Sequence, residues 1–332
     1  EIMVDFSELA VMGLVEVLKR YRDIKKIFNQ LVTKLKEDKP DLLILVDYPG
    51  FNLKLAKQAK KIGIPVLYYI SPKVWAWRAG RVKTIKQYVD HMAVLFPFEI
   101  PIYQSVGVPV TCVGHPLVDA VQKKLTTKQA KIKMNFKLNR RVLGLFPGSR
   151  RSEVEALLPI MLDAAKRIQK THNNVDIVLP VASGLDSTFI ETMIKQSEVP
   201  VKVVKGDFYQ LTSACDAIVA ASGTVTLEIA LLGVPHFITY RVAPISYRIL
   251  KSLVRIPYIG LCNIVTGKPV VMELLQDEVT AERLDKELVS LLTEADSKAN
   301  AENLRKQVLF ALGPNGGADN IAQLVITLLN KS

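Results

Sequence analysis

The sequence predicts an α/β protein made of two doubly wound parallel sheets. Three observations carry the prediction. Short aliphatic and β-branched runs alternate with stretches of helical periodicity along most of the chain. The runs are continuously apolar, as in strands covered on both faces, and do not alternate with polar residues. The length of 332 residues suits two domains, and a hydrophobic content of 49% excludes a disordered chain.

The elements follow in order. A strand at 42–46 ends at Asp47 and leads to a helix at about 53–61. Strands at 65–70, 92–96 and 108–113 follow, with the loop Ser71-Pro72-Lys73-Val74-Trp75-Ala76-Trp77 after the first of them. Gly114-His115-Pro116 and a polar Lys/Thr/Gln-rich segment interrupt the rhythm, which sets a boundary between domains at 1–118 and 119–332. The rhythm restarts with strands at 142–146, 175–179, 201–204, 217–220 and 235–240 and helices at about 153–170, 187–196 and 224–232. After 244 the pattern is mostly helical, and Gly313-Pro314-Asn315-Gly316-Gly317 precedes a last apolar helix at about 319–330. The last helices are expected to pack back on the first domain. The first half opens on a helix and shows only about four strands, so its sheet is expected to be incomplete. Two such domains are expected to face a cleft, with ligands beyond the carboxyl ends of the strands.

Composition narrows the function. Lys and Arg number 44 against 32 Asp and Glu, a net charge of +12, so the partner is expected to be anionic. With a mean hydropathy of +0.21, the balance favours a lipid surface over nucleic acid. The N-terminal stretch repeats the theme: Leu9, Met12, Val15 and Leu18 recur at helical spacing, beside Lys19, Arg20, Arg22, Lys25 and Lys26. A core-facing helix with a solvated basic face fits this stretch equally well. The apolar segment 218–240 contains Glu228 and two glycine breaks, so it is a buried core segment and not a membrane span. Cys112, Cys215 and Cys262 form no CxxC pair, which argues against disulfide and zinc scaffolds and for a reducing compartment. GxGxxG, P-loop, HExxH and GxSxG motifs are all absent.

Four constellations can carry chemistry. Phe146-Pro147-Gly148-Ser149-Arg150-Arg151 joins a strand to a helix. Gly148 permits a tight turn, the Ser149 and Arg150 amides can face an anion, and Arg150 can grip phosphate oxygens. The competing reading is an ordinary turn with solvated arginines. Ala221-Ser222-Gly223-Thr224 is a second strand-to-helix loop, with Ser222 or Thr224 as cap and a helix end that favours phosphate. Glu228 lies four residues after Thr224 on the same face and can accept from ribose hydroxyls. The alternative is a capping motif with a solvated Glu. Two anion loops in one domain suggest a nucleoside diphosphate. Asp47 ends a strand on the proposed cleft and can serve as a general base, or merely as a turn residue. Trp75, Trp77 and Arg78 combine aromatic and basic character, suited to an acyl chain beside a phosphate, or else to a core. His115 reads as a turn residue.

Ser7-Glu8-Leu9-Ala10-Val11-Met12-Gly13, the tryptophan loop 71–78, Leu145-Phe146-Pro147-Gly148-Ser149-Arg150 and Ala221-Ser222-Gly223-Thr224 together resemble the lipid A disaccharide synthase family, in the family's order. The resemblance implies two Rossmann-like domains of the GT-B glycosyltransferase type. It implies an inverting transfer from UDP-2,3-diacylglucosamine to 2,3-diacylglucosamine 1-phosphate, giving the β-1,6 disaccharide 1-phosphate and UDP in lipopolysaccharide biosynthesis of a Gram-negative bacterium. Asp47 would be the base and Arg150 the charge stabiliser. Gly148, Ser149, Arg150, Ser222, Gly223, Thr224 and Glu228 would hold the UDP donor. Asn263 falls where the family has a functional asparagine and would join them at the donor site. Trp75, Trp77 and Arg78 would face the lipid. The resemblance further implies no metal or other cofactor, no nucleic acid, an anionic membrane partner, room for a homodimer, and a cytoplasmic place on the inner-membrane face. Family members begin with a strand and a Gly-Glu-x-Ser-Gly-Asp loop that this sequence lacks, so its first domain is expected to want those strands. The competing functions are another UDP-sugar enzyme of the same fold, such as a 2-epimerase, and a non-catalytic basic surface protein.

Overall fold

A computed structural model describes residues 2–4, 21–77, 79–121, 125–253 and 256–330. The chain divides into two compact units, one of residues 1–113 and 318–332, the other of 114–317.

Unit 1 holds, among the described residues, a four-stranded parallel sheet in the order β1-β2-β3-β4. The strands are β1 (Leu43–Val46), β2 (Val66–Tyr69), β3 (His91–Val94) and β4 (Val110–Cys112). Val66, Leu67 and Tyr68 are wholly buried, as their unbroken apolar run requires. At the sheet edge, Ile44 and Val46 of β1 remain exposed. The helices Tyr21–Asp38 and Pro49–Ile62 supply Ile27, Leu35, Phe51 and Leu55 to one core, with Phe28 edge-on to Phe51 at 5.4 Å. The second helix starts four residues before the predicted Leu53. Pro49 is tolerated there, since a proline in the first turn forfeits only an amide that has no helical partner.

Unit 2 holds, among the described residues, a six-stranded parallel sheet in the order β10-β9-β8-β5-β6-β7. The strands are β5 (Arg141–Phe146), β6 (Val175–Val181), β7 (Val201–Lys205), β8 (Ala217–Ala221), β9 (His236–Tyr240) and β10 (Glu273–Leu275). β10 escaped the sequence reading, because three residues beginning with a glutamate carry no strand signal. The helix Arg151–Thr171 buries Val154, Leu157, Leu158, Met161, Leu162, Ala165 and Ile168, a stripe of 3.6-residue period laid on the sheet. Below β5, the buried Asp216 carboxylate accepts from Lys131 Nζ at 2.6 Å, the Val142 amide at 2.9 Å and Lys298 Nζ at 3.1 Å. Burial opposes its charge, but these donors hold it below the usual carboxylate range. They fasten the short helix Thr127–Lys133 to the sheet.

The strand order reverses between β5 and β8, which pair in parallel with Phe146 opposite Ala220. This is the topological switch point, and a crevice opens beyond the carboxyl ends of such a pair. Both predicted anion loops leave from these two strands.

Candidate active site

The first loop follows β5. Gly148 adopts φ +115°, and a Cβ there would come within 2.8 Å of the Glu153 Cβ and closer still to its carboxylate. Only glycine fits. Glu153 Oε2 accepts from the Ser149 amide at 3.0 Å and the Arg150 amide at 3.2 Å, and Oε1 accepts from Arg150 Nη1 at 2.7 Å. The amides assigned to an anion from the sequence are therefore already engaged by a carboxylate of the same chain. Arg150 keeps an exposed guanidinium over the loop. Arg151 turns away, to Glu155 Oε1 at 2.9 Å and over the Phe189 ring.

The second loop follows β8. Ser222 does not cap the helix as expected; its hydroxyl donates to the Ile259 carbonyl at 3.0 Å. Thr224 does not cap it either, because the cap position is Gly223 and no side chain bonds there. The exposed amides of Gly223 and Thr224 have no partner among the described residues. A helix start left uncapped on the surface keeps its donors and positive dipole end for a ligand. A Cβ at Gly223 would meet nothing within 4 Å, so the space above it is open. One turn on, Glu228 is half-buried and accepts from Tyr209 Oη at 3.0 Å. Burial pushes its carboxyl above the usual range, and burial with Glu228 pushes the Tyr209 phenol up to about 12. Tyr209 is brought there by Phe208, which packs on Phe146 with centroids 5.7 Å apart.

In unit 1, Asp47 follows β1 with φ +44° and Tyr48 follows with φ +43°. Two consecutive non-glycine residues in the left-handed region cost about 1–3 kcal/mol each and persist only where neighbours over-determine them. Here Asn52 Nδ2 donates to the Val46 and Asp47 carbonyls at 2.9 and 2.8 Å, and Tyr68 Oη donates to the Asp47 carbonyl at 2.5 Å. The strained turn leaves the Asp47 side chain exposed, with no hydrogen bond among the described residues.

The tryptophans differ. Trp77 is exposed, with the Arg81 guanidinium 5.2 Å from its ring. Trp75 is half-buried, edge-on to Phe98 at 5.4 Å, and its indole donates to Glu99 Oε1 at 3.2 Å.

A family model described as lipid-A-disaccharide synthetase matches residues 1–320. The chain belongs to the lipid-A-disaccharide synthase family. A curated lipid-A-disaccharide synthase of Trichlorobacter lovleyi is 47% identical over 332 residues, covering 100% of this chain and 87% of that protein. Among solved structures, a putative UDP-N-acetylglucosamine 2-epimerase from Listeria monocytogenes superposes with a TM-score of 0.63 at 13% identity. That match covers 97% of this chain and 82% of the other. A calicheamicin glycosyltransferase superposes with a TM-score of 0.55 at 13% identity, over 98% and 84% of the two chains. These likenesses show a GT-B-type fold alone, while the family match separates this synthase-family chain from the epimerases.

Asn263 is expected at the donor site, but the structure puts it in the core of this synthase-family chain. Asn263 is 1% exposed and does not face the open loop. Its Nδ2 donates to the Val271 carbonyl at 2.8 Å and Glu273 Oε1 at 2.7 Å, and its Oδ1 accepts from the Val271 amide at 2.9 Å. Glu273 in turn accepts from the Ile259 and Gly260 amides at 2.9 and 2.8 Å. Asn263 thus frames the segment whose Ile259 carbonyl holds Ser222. His115 is the turn residue expected, its Nδ1 accepting from the Leu117 amide at 3.2 Å. Arg78, the 7–13 motif and the residues Leu9 to Arg20 of the basic stretch lie outside the described residues.

Sequence reasoning missed Glu153, Tyr209 and Glu99. Glu153 carried a signal, being the acidic residue three places after a helix cap. Glu99 is 3% exposed and receives the Phe96 amide at 3.3 Å as well as Trp75. Burial pushes its carboxyl up to about 7, and the hydrogen bonds only partly offset this.

Proposed function

We propose that the chain is an inverting glycosyltransferase that joins UDP-2,3-diacylglucosamine to 2,3-diacylglucosamine 1-phosphate and releases UDP, acting on lipids at an anionic membrane face. The observation that carries the reading is the uncapped helix start at Gly223 and Thr224, on the helix that carries Glu228, with the Arg150 loop leaving the paired strand β5 at the switch point of a synthase-family sheet.

In the proposed mechanism the Gly223 and Thr224 amides and the Arg150 guanidinium stabilise the charge that develops on the diphosphate as the anomeric bond breaks. Glu228, held by Tyr209, accepts from the ribose hydroxyls. Asp47 removes the proton from the acceptor hydroxyl as that oxygen attacks the opposite face of the anomeric carbon, which inverts it. One displacement suffices, without a covalent sugar–enzyme intermediate. No metal or organic cofactor takes part in this proposal. Trp77 offers an exposed apolar face to an acyl chain, beside the cationic Arg81. Among the described residues no helix is long and apolar enough to cross a membrane, which is compatible with peripheral attachment.

The test is UDP release from the diacylated donor, with and without the diacylglucosamine 1-phosphate acceptor. Acceptor-dependent release with a β-linked disaccharide product is the expected result. Acceptor-independent epimerisation of the donor sugar would replace the reading with the 2-epimerase alternative.

A further inference from the structure

Glu153 occupies the donors that the first loop would otherwise present to phosphate. Its two carboxylate oxygens collect three N–H groups: the Ser149 amide, the Arg150 amide and Arg150 Nη1. A phosphate oxygen pair seeks the same donor set. The carboxylate fits because Gly148 has no Cβ. It is not sealed in, since the Glu153 side chain is 22% exposed. An ordinary capping box needs the acid only at the cap amide, with a Ser or Thr returning the bond. Here the cap residue is Arg150, which returns none, and the acid reaches past it to the guanidinium. Arg151 cannot substitute, being turned to Glu155 and Phe189.

We propose that Glu153 is a displaceable internal anion, a carboxylate that competes with the donor diphosphate for Ser149 and Arg150, limits UDP affinity and speeds UDP departure. The inference rests on the reading of this loop as a diphosphate site. A tethered competitor a few residues away acts at an effective concentration in the millimolar range or above. It therefore lowers apparent UDP affinity by the fraction of time it holds the donors. After glycosyl transfer it retakes them and eases release of a strongly charged product.

Glu153→Gln separates the charge from the cap, because glutamine still accepts from the Arg150 amide. UDP binding to the full chain is measured by titration calorimetry at fixed salt, with dissociation followed by stopped flow. The expected result is ~10-fold tighter binding for E153Q with slower dissociation. Glu153→Ala, which removes cap and charge together, is expected to bind more tightly than wild type as well, and serves if E153Q folds poorly. Unchanged or weaker binding in a variant with a cooperative melt overturns the proposal and leaves Glu153 a cap. If wild type binds UDP but Arg150→Ala binds it equally well, the diphosphate reading of the loop fails, and this inference with it.

Discussion

Arg150 and Arg151 adjoin in sequence but part in space, one on Glu153 and the other on Glu155 and Phe189. Arg150→Ala is expected to lower turnover by about 10²–10³, the scale of losing one preorganised charge stabiliser, whereas Arg151→Ala stays near wild type. Steady-state kinetics of the two variants makes the comparison. The tryptophans separate similarly. Trp77→Ala is expected to raise the acceptor KM with UDP binding intact, because it removes an exposed face. Trp75→Ala removes the indole from a buried carboxylate and is expected to lower stability by about 2 kcal/mol in a denaturant titration. Glu99 also ties stability to pH. Its folded-state pKa, about 7, lies above the ordinary carboxyl value, so the folded form binds the extra proton. The stability it confers is full below pH ~4.5 and is lost as pH rises through 7, on the order of 3 kcal/mol in total. Glu99→Gln is expected to flatten that slope in unfolding measured across pH 4 to 8; an unchanged slope would assign it to other groups. The sequence named Arg150, Asp47 and the tryptophans because strand–loop–helix spacing shows such residues. It concealed Glu99, Tyr209 and the burial of Asn263, since each depends on partners far away in the chain or on an enclosure that no local pattern reports.

At the scale of elements, the strands were readable because parallel strands buried on both faces are continuously apolar. The strand order was not. Only the pairing of β5 with β8 reveals that the two glycine loops flank one crevice, and their separation by some seventy residues hides it. The loops also differ in a way spacing does not show: one is filled by its own glutamate, the other left open. Gly148 is the hinge of the first. Gly148→Ala puts a side chain at φ +115° against Glu153 and is expected to cost about 1–3 kcal/mol, read as a lower unfolding temperature. Gly223→Ala, with extended backbone and open space, is expected to leave stability almost unchanged while weakening UDP binding. Equal loss of stability in both variants would contradict the distinction.

For the whole molecule, the net charge of +12 favours an anionic surface at long range. Binding to vesicles rich in anionic lipid is expected to fall as salt rises from 0.05 to about 0.5 M, since the screening length shortens from roughly 14 to 4 Å. A binding level independent of salt would point to acyl contacts alone. The predicted boundary near 118 lies close to the crossing between Val113 and Gly114, where the apolar rhythm breaks at Gly114-His115-Pro116. The return crossing at Gly317 and Ala318 is fastened in unit 2, where the Asp119 carboxylate accepts from the Gly316 and Gly317 amides at 2.9 and 2.8 Å.

This threading sets a timetable on the ribosome. Unit 2 is one uninterrupted piece of chain, and the residues proposed to hold the donor all lie within it. It can close as soon as residue 317 has left the exit tunnel, while unit 1, begun first, still waits for residues 318–332. The half of the molecule that is started first is the half that is finished last.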